Sequence, residues 1–261
     1  MSFPTGPRAV ILDAEIVCMM EPPMTDAAPQ DIHIGFLIYP GVTALDALGP
    51  AQLLSLVPGA VMHYVWKDME PVAADAGYTI NPTDDFGSCP QLDVICVPGG
   101  FGQVDLMTDE VVVDFVRKQG QGARYVTAVC TGSLLLGAAG LLDGYEASCH
   151  WAWHHQLELV GATPKKARVV RDRNRITGGG VTAGIDFGLT MVAELAGEEA
   201  AKLVQLSFEY DPQPPYDSGT PDKASAETLA TSQAMVGPVV ESMADAARAA
   251  QAKKDARHAA E

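Results

Sequence analysis

Three features that can take part in chemistry stand where predicted strands end. The first is Cys130, which follows the β-branched run Tyr125–Val129 and leads through Thr131–Ser133 into a helical pattern. A strand that turns directly into a helix holds its hinge side chain out at the end of a sheet, the geometry of hydrolase nucleophile elbows. Because a helix N-terminus favours an anion, we expect Cys130 to be a reactive thiolate with a lowered pKa. The alternative is a buried structural thiol.

The second and third features are Asp46, just after the first predicted strand, and the pair Gly99–Gly100, which ends LDVICVPGG. In an open parallel sheet, ligands bind beyond the carboxyl ends of the strands, so we expect both features to meet Cys130 there. Asp46 is then a candidate for proton transfer, although an acid that only stabilises a helix N-terminus is the alternative. The glycine pair either presents a backbone N–H to a reacting atom or forms a tight turn.

The histidines of HWAWHH suggest two further roles. His150 follows Cys130 by twenty residues and is a candidate base for a Cys–His pair. His150 and His154 are spaced to share a helix face as metal ligands, but neither a third ligand nor an HExxH pattern accompanies them, so we predict no metal site. The alternative for this segment is aromatic packing. The GGGV run at 178–181 lacks the Lys and Ser/Thr of a P-loop and is interpreted as a flexible start of a helix.

The elements that must position these residues follow an alternating pattern. Strands that alternate with helical patterns predict an α/β fold with a mostly parallel sheet between helical layers. We expect the first helix to break at Gly49–Pro50 and a hairpin to turn at Asp172–Asn174. Two further stretches, VDLMTDEVVVDFVRKQ and HWAWHHQLELVGA, each predict one helix.

Changes in composition divide the chain into three predicted parts. Residues 1–30 form a Pro- and Met-rich leader that we expect to be poorly ordered, and residues 31–210 form the α/β catalytic domain. Residues 211–261 form a Pro-rich arm followed by an Ala-rich helical tail. The tail pattern favours an exposed helix over a second domain.

Charge and cysteine content exclude several classes of function. The formal net charge of −16 argues against nucleic acid or an anionic membrane as partner, since both require a basic face. No apolar run has transmembrane length, and no signal peptide is recognisable. Five cysteines without a CxxC pair argue against a disulfide scaffold and favour a reduced, cytoplasmic location. Four of them are interpreted as structural: Cys18, Cys89, Cys96 and Cys149.

Several motifs together resemble a known family. In chain order they are IGFLIYPGVTALDALGP, LDVICVPGGFG, RYVTAVCTGSLLLGAAGLLDG, ASCHWAWH and ITGGGVTAGIDFGLTMVAEL. They resemble the Parkinsonism-protein/PfpI superfamily over about Ile32 to Asp222, and within it the isocyanide hydratases. The resemblance implies a flavodoxin-like, glutamine-amidotransferase-like sandwich. Asp46, where other relatives carry glutamate, narrows the match, and Thr131 stands where the protease relatives carry histidine, which argues against a peptidase.

The resemblance also implies a mechanism that needs no cofactor. Cys130 would attack the carbon of a small-molecule isocyanide and form a thioimidate, and Asp46 would supply a proton and later activate water. Thr131 would orient these groups through its hydroxyl, and its backbone N–H, with that of Gly100, would stabilise anionic states. The product would be an N-formamide.

Supporting residues, assembly and alternative functions complete these expectations. His150, Gly179 and Val181 are expected beside the site without direct chemistry, and a homodimer is expected in which the arm or tail packs on the partner. AraC-type regulators share the elbow but append a basic DNA-binding domain that this acidic tail does not supply. Two alternatives stay open: a glyoxalase- or deglycase-like thiol enzyme that uses His150 as base, and a sensor in which Cys130 is oxidised to a sulfinic acid.

Overall fold

The computed structural model describes residues 30–259, so the leader predicted at 1–30 lies outside the described residues except for its last position, and so does Cys18. The strands, numbered in chain order, are β1 Ile32–Leu37, β2 Ala60–Trp66, β3 Val72–Ala73, β4 Thr79–Ile80, β5 Asp84–Asp85, β6 Val94–Val97, β7 Tyr125–Val129, β8 Glu146–Ala147, β9 Thr163–Pro164, β10 Val169–Asp172 and β11 Arg175–Gly178. The helices are α1 Ala44–Leu54, α2 Gln103–Leu106, α3 Glu110–Gly122, α4 Gly132–Ala138, α5 Ala183–Ala196, α6 Glu198–Ser207 and α7 Ala226–His258, with a 3₁₀ helix at His154–Val160.

A seven-stranded sheet forms the centre of the fold, in the order β10-β11-β7-β6-β1-β2-β5. Every neighbouring pair is parallel except β10 and β11, which form the predicted hairpin. The register pairs Val129 with Gly178 and Val97 with Ala128, so β6, β7 and β11 end side by side. The prediction of a mostly parallel α/β sheet is confirmed, and the residues that follow these three strands meet at one edge.

Alternating side chains bury the two faces of the sheet under separate helical layers. On β1, Ile34 and Phe36 belong to a core formed with α1, α5 and α6, whereas Leu37 belongs to the core formed with α3, α4 and α7. The same alternation holds on β6, where Cys96 and Val97 face opposite layers. This period of two is what a strand covered on both faces requires.

Two predicted helix boundaries are wrong for identifiable reasons. No break occurs at Gly49–Pro50, because α1 runs through the proline. Pro50 lies close to Gly184 and Gly188 of α5, where an added Cβ would lie 3.3 Å and 3.1 Å from proline atoms. This close helix–helix packing offsets the hydrogen bond that the proline removes. The stretch VDLMTDEVVVDFVRKQ, predicted as one helix, is instead split into α2 and α3. Asp109 caps α3, because its side chain accepts the N–H groups of Val111 and Val112.

The remaining helix predictions are met in part. HWAWHHQLELVGA forms only the short 3₁₀ helix rather than a full α-helix. The tail does form a helix, but one face of its later half is not exposed: Met243, Ala247 and Ala250 are buried in the core beside α4. The earlier half of the helix is largely exposed to solvent, and Met235 is 77 % exposed. The domain boundaries themselves stay a prediction.

Candidate active site

Cys130 stands at a sharp turn between β7 and α4. Its φ is +59°, in the left-handed region that non-glycine residues rarely adopt at a cost of about 1–3 kcal/mol. Two carbonyls hold this conformation, since the Cys130 N–H donates to the oxygens of Gly178 and Gly179 at 3.1 and 2.8 Å. Gly132 lets α4 start against β6, because a Cβ there would lie 1.8 Å from the carbonyl oxygen of Val97. The local geometry is the elbow that the sequence predicts.

Asp46 and the glycine loop converge on this cysteine. Asp46 lies in the first turn of α1 but is fully buried, and its Oδ2 accepts the N–H of Gly99 at 2.9 Å. A Cβ on Gly99 would lie 2.7 Å from that oxygen and 2.8 Å from the Cβ of Cys130, so only glycine fits. Asp46 Oδ1 has no hydrogen-bond partner within the described chain. The carboxylate therefore faces the thiol and keeps one oxygen free, beyond what a helix-end acid requires.

The electrostatics of the pair differ from the prediction for the thiol. Burial raises the pKa of Asp46 to about 7. Burial, and then the charge of Asp46, raise the pKa of Cys130 well above its usual range. The predicted lowering is wrong because the Thr131 N–H, which favours the thiolate, is outweighed by these two effects. The charge of Asp46 disfavours the thiolate at Cys130, so the protonation states of these two neighbouring groups are coupled.

Thr131 and Gly100 are linked to each other beside the pair. The Gly100 N–H donates to Thr131 Oγ1 at 3.1 Å, and both residues are buried. Gly100 has a φ of +144°, and a Cβ there would lie 2.4 Å from the carbonyl oxygen of Gly41. Its N–H is thus already partnered in the resting site. The predicted anion-stabilising role of Gly100 stays a prediction, and it requires this N–H to be shared with the reacting group.

A cavity of about 540 Å³ is lined by the predicted supporting residues but not by Cys130 or Asp46, and it reaches the elbow through Gly179. Its lining includes His150, Gly179 and Val181, and Gly179 is also the residue whose carbonyl accepts the Cys130 N–H. His150 accepts the N–H of Ala152 at 3.3 Å through Nδ1, and burial lowers its pKa to about 4. Within residues 30–259 no hydrogen bond joins this imidazole to the thiol. His150 is therefore a neutral wall residue in the resting structure.

The aromatic alternative for HWAWHH accounts for this segment. Trp153 is buried, and its ring centroid lies 5.1 Å from that of His150 and 6.1 Å from that of Phe101. Across the described residues, no group of three or more His, Cys, Asp or Glu side chains is arranged to hold a metal ion. His154 Nε2 is buried without a partner in the same part of the chain, so this imidazole is not anchored by hydrogen bonding there.

Two positioning residues were missed by sequence reasoning. Tyr39 Oη and Gln103 Nε2 both donate to the carbonyl oxygen of Pro98, at 2.9 and 2.8 Å. These bonds fix the loop that presents the Gly99 N–H to Asp46. Tyr39 lies two residues after the carboxyl end of β1, at the functional edge of a parallel sheet, but nothing in the spacing of Gln103 marks it.

The whole-chain comparisons agree with this geometry. The DJ-1/PfpI family model matches residues 33–194. The chain belongs to the DJ-1/PfpI family. A THiJ/PfpI family protein from Pseudomonas syringae has a solved structure that superposes with a TM-score of 0.82 at 44 % identity, covering 84 % of this chain and 92 % of that one. The predicted superfamily and fold are confirmed.

Two curated relatives differ in length. Isonitrile hydratase of Pseudomonas putida is 50 % identical over 226 residues, which cover 87 % of this chain and 99 % of that protein. The HTH-type transcriptional regulator GbdR of Pseudomonas aeruginosa is 33 % identical over 199 residues, but these cover only 53 % of it. Likeness to the hydratase thus extends over its full length, whereas likeness to the regulator stops at about half. Across residues 30–259, no helix combines the length and apolar character needed to cross a membrane.

Proposed function

We propose that this protein is an isocyanide hydratase, which adds water to an organic isocyanide (isonitrile) and releases the N-formamide. The observation that carries the proposal is the buried pair of Cys130 and Asp46, in which the thiol lies beside a carboxylate that keeps one oxygen without a hydrogen-bond partner in the described chain. The full-length likeness to isonitrile hydratase supports the same chemistry.

The isocyanide carbon needs a nucleophile and a proton at the same atom, and the pair supplies both. The thiol proton passes to Asp46 and then to the isocyanide carbon, while the sulfur of Cys130 bonds to that carbon. The S–H bond is lost, C–S and C–H bonds form, and the product is the neutral thioimidate R–N=CH–S–Cys. No ion has to be created in the buried site, which suits a pair whose burial penalises charge.

The second half of the reaction uses the same carboxylate as a base. Asp46 takes a proton from water as the oxygen adds to the thioimidate carbon, and returns that proton to the nitrogen. The C–S bond then breaks as the hydroxyl of the adduct becomes the carbonyl, Asp46 carries the hydroxyl proton to the sulfur, and R–NH–CHO leaves. A carboxyl with a pKa of about 7 is suited to both directions, because it is half protonated near neutral pH.

Thr131 supports the pair from the other side. Its backbone N–H favours negative charge on the sulfur, and its hydroxyl accepts the Gly100 N–H. We propose that the backbone N–H groups of Thr131 and Gly100 stabilise the partial negative charge that develops on the sulfur and on the adding oxygen.

The alternatives draw less support from the site. A glyoxalase-like enzyme would use His150 as base, but burial lowers the pKa of this residue to about 4, which makes it a weak proton acceptor. A redox sensor needs an accessible thiolate, whereas Cys130 is 5 % exposed with a raised pKa. We favour neither.

Turnover of p-nitrophenyl isocyanide, followed by formamide absorbance, tests the proposal. We expect turnover by the wild type and by Cys89→Ala, a half-buried cysteine remote from the site. Cys130→Ala should fall by on the order of 10³-fold or more, the scale for removing a catalytic nucleophile. Turnover no higher than that of Cys130→Ala in the wild type would refute the hydratase proposal.

We also propose a cytoplasmic homodimer. Tyr216 in the predicted arm is 82 % exposed and Leu206 before it is 77 % exposed, which supports a partner surface there. The described cysteines are all free, which supports a reduced compartment. Light scattering at micromolar concentration should give about twice the 27.5 kDa chain mass, and a value near 27.5 kDa would contradict the dimer.

A further inference from the structure

A second cavity, of about 660 Å³, lies at the opposite end of the sheet and shares no lining residue with the cavity lined by His150 and Gly179. One of its walls is Arg175, the first residue of β11, which pairs with Val126 near the amino end of β7. Cys130 instead follows the carboxyl end of β7. The remaining walls come from the end of α3, the segment after α4 and the end of α7.

Four cationic side chains line this cavity, and no Asp or Glu does: Arg117, Arg175, Lys254 and Arg257. They come from three separate elements, α3, β11 and α7. The chain as a whole carries 33 acidic residues against 17 Lys and Arg, so the local charge opposes the overall charge. A cluster of this kind favours binding of an anion.

The hydrogen bonds of these cations leave donors unused. Arg175 donates hydrogen bonds from Nε to the Leu141 carbonyl at 2.7 Å and from Nη1 to the Asn174 side chain at 2.8 Å. It has no carboxylate partner within residues 30–259. Arg117 Nε is buried and has no acceptor in the same range, although its Nη2 pairs with Asp114. A buried donor without a partner is costly, and a ligand oxygen in the cavity would satisfy it.

Two further features hold the charges in place. Lys254 is only 3 % exposed, anchored to Asp143 at 2.6 Å and to the Val160 carbonyl at 3.2 Å, with its third N–H uncommitted. The guanidinium of Arg175 stacks on the ring of Tyr145, 4.5 Å from its centroid. Burial without a carboxylate partner also lowers the pKa of Arg175. These cations are positioned before any ligand arrives, which reduces the entropy lost on binding.

We propose that this cavity binds a small molecule through a phosphate group. Cations that converge from three elements suit a tetrahedral phosphate, whose oxygens point in several directions, better than a planar carboxylate. The volume falls within the range of about 300–1,000 Å³ that is usual for small-molecule sites. The assignment does not depend on the reaction at Cys130.

Isothermal titration of the full-length chain with pyrophosphate tests the proposal. We expect one site per chain, with affinity that falls as ionic strength rises. Arg175→Gln and Arg257→Gln should each weaken binding by about tenfold or more, because each removes a charged donor. Arg171→Gln is the matched control, since this arginine pairs with Glu194 outside the cavity.

Arg175 also donates a hydrogen bond to the Leu141 carbonyl, so Arg175→Gln can unfold the chain. In that case the Arg257→Gln variant alone decides the outcome. Within the described chain Arg257 forms an ion pair with the half-exposed Glu110. A far-UV circular dichroism spectrum and a thermal unfolding midpoint equal to those of the wild type verify the fold of either variant. No heat with pyrophosphate, or equal binding by the control and the Arg257 variant, would overturn the site. Citrate binding as tightly as pyrophosphate would overturn the assignment to phosphate.

Discussion

At the carboxyl ends of its strands the sheet holds a thiol beside a carboxylate, both buried, and at the amino ends it holds a cavity lined by four cations. Burial raises the pKa of both Asp46 and Cys130, so the first region suppresses charge. The second region keeps permanent positive charges with donors left over. One sheet thus offers a place for proton transfer between a buried thiol and a buried carboxylate and a place for holding an anion.

The two regions also differ in what defines their shape. Backbone forms the carboxyl-end site, where Gly99 and Gly100 approach Asp46 and Gly41 so closely that no Cβ fits. Long side chains form the amino-end cavity. We therefore expect small substitutions to cause a large loss of turnover at the first region and only a moderate loss of binding at the second. Salt should weaken binding at the second region and leave turnover at the first nearly unchanged, because buried pairs are poorly screened.

The largest expected effect in this contrast comes from Asp46→Asn. The amide keeps the shape of the side chain and an acceptor for the Gly99 N–H, but it cannot pass a proton on. Turnover of p-nitrophenyl isocyanide should fall by about a hundredfold or more, the usual scale for general acid–base catalysis. Asp75→Asn is the control, since Asp75 is exposed, its charge raises the pKa of Asp46, and an amide there keeps an acceptor for the Ala44 N–H that starts α1. If both variants kept near wild-type rates, Asp46 would have no part in the mechanism.

The same variant should have the opposite effect on thiol reactivity. In the wild type the charge of Asp46 contributes to the raised pKa of Cys130, and an amide removes that contribution. The thiolate fraction at a fixed pH between the two pKa values therefore rises, and iodoacetamide should alkylate Cys130 faster by about tenfold, which corresponds to one pKa unit. Mass spectrometry of the modified cysteine gives the rate. Slower alkylation in Asp46→Asn would mean that the carboxylate assists the thiolate instead of opposing it.

The convergence of these residues was accessible from the sequence, and their electrostatics were not. Parallel strands end at one edge, so Cys130, Asp46 and Gly99 were expected to meet, and they do. The pKa of Cys130 was predicted in the wrong direction because a helix N-terminus is visible in a sequence and the extent of burial is not. Asp109 was a capping signal that would have separated α2 from α3.

Tertiary contacts explain what sequence reasoning missed elsewhere. Pro50 fits inside α1 only because two glycines of α5 let the helices approach, and those glycines lie far along the chain. The cationic cavity collects residues from α3, β11 and α7 that share no local pattern. One or two cations in each element are typical of a solvated surface, and only the fold brings the four together.

A smaller effect is expected at Thr131. Thr131→Val leaves the Gly100 N–H buried without its acceptor, whereas Thr131→Ser keeps an oxygen at the same position. The loss of about one hydrogen bond predicts a fall in kcat of roughly fivefold to tenfold for valine. Serine should stay within about twofold of the wild type, because the bond is retained. Equal rates for valine and serine would remove the hydroxyl from the site.

The smallest expected effect concerns Gly179, whose carbonyl holds Cys130 in its strained conformation. A Cβ there would meet Ser148 Oγ at 3.5 Å and the Ala167 carbonyl at 3.4 Å, so the residue fits with little displacement. A β-branched side chain nevertheless stiffens the segment that leads into α5. We propose that this segment shifts when Cys130 becomes a thioimidate, so Gly179→Val should slow release of the intermediate by a few-fold more than its formation.

Burst and steady-state phases of formamide production separate these two steps. The steady-state rate should fall by about threefold in Gly179→Val while the burst rate stays within about twofold, since both effects correspond to well under 1 kcal/mol. Gly180→Ala is the comparison, because its Cβ would lie 3.0 Å from the His150 ring and act on the cavity wall instead of the elbow. Equal slowing of both phases in Gly179→Val would tie Gly179 to the resting shape of the elbow alone, and the carboxyl-end site would then be rigid throughout the reaction.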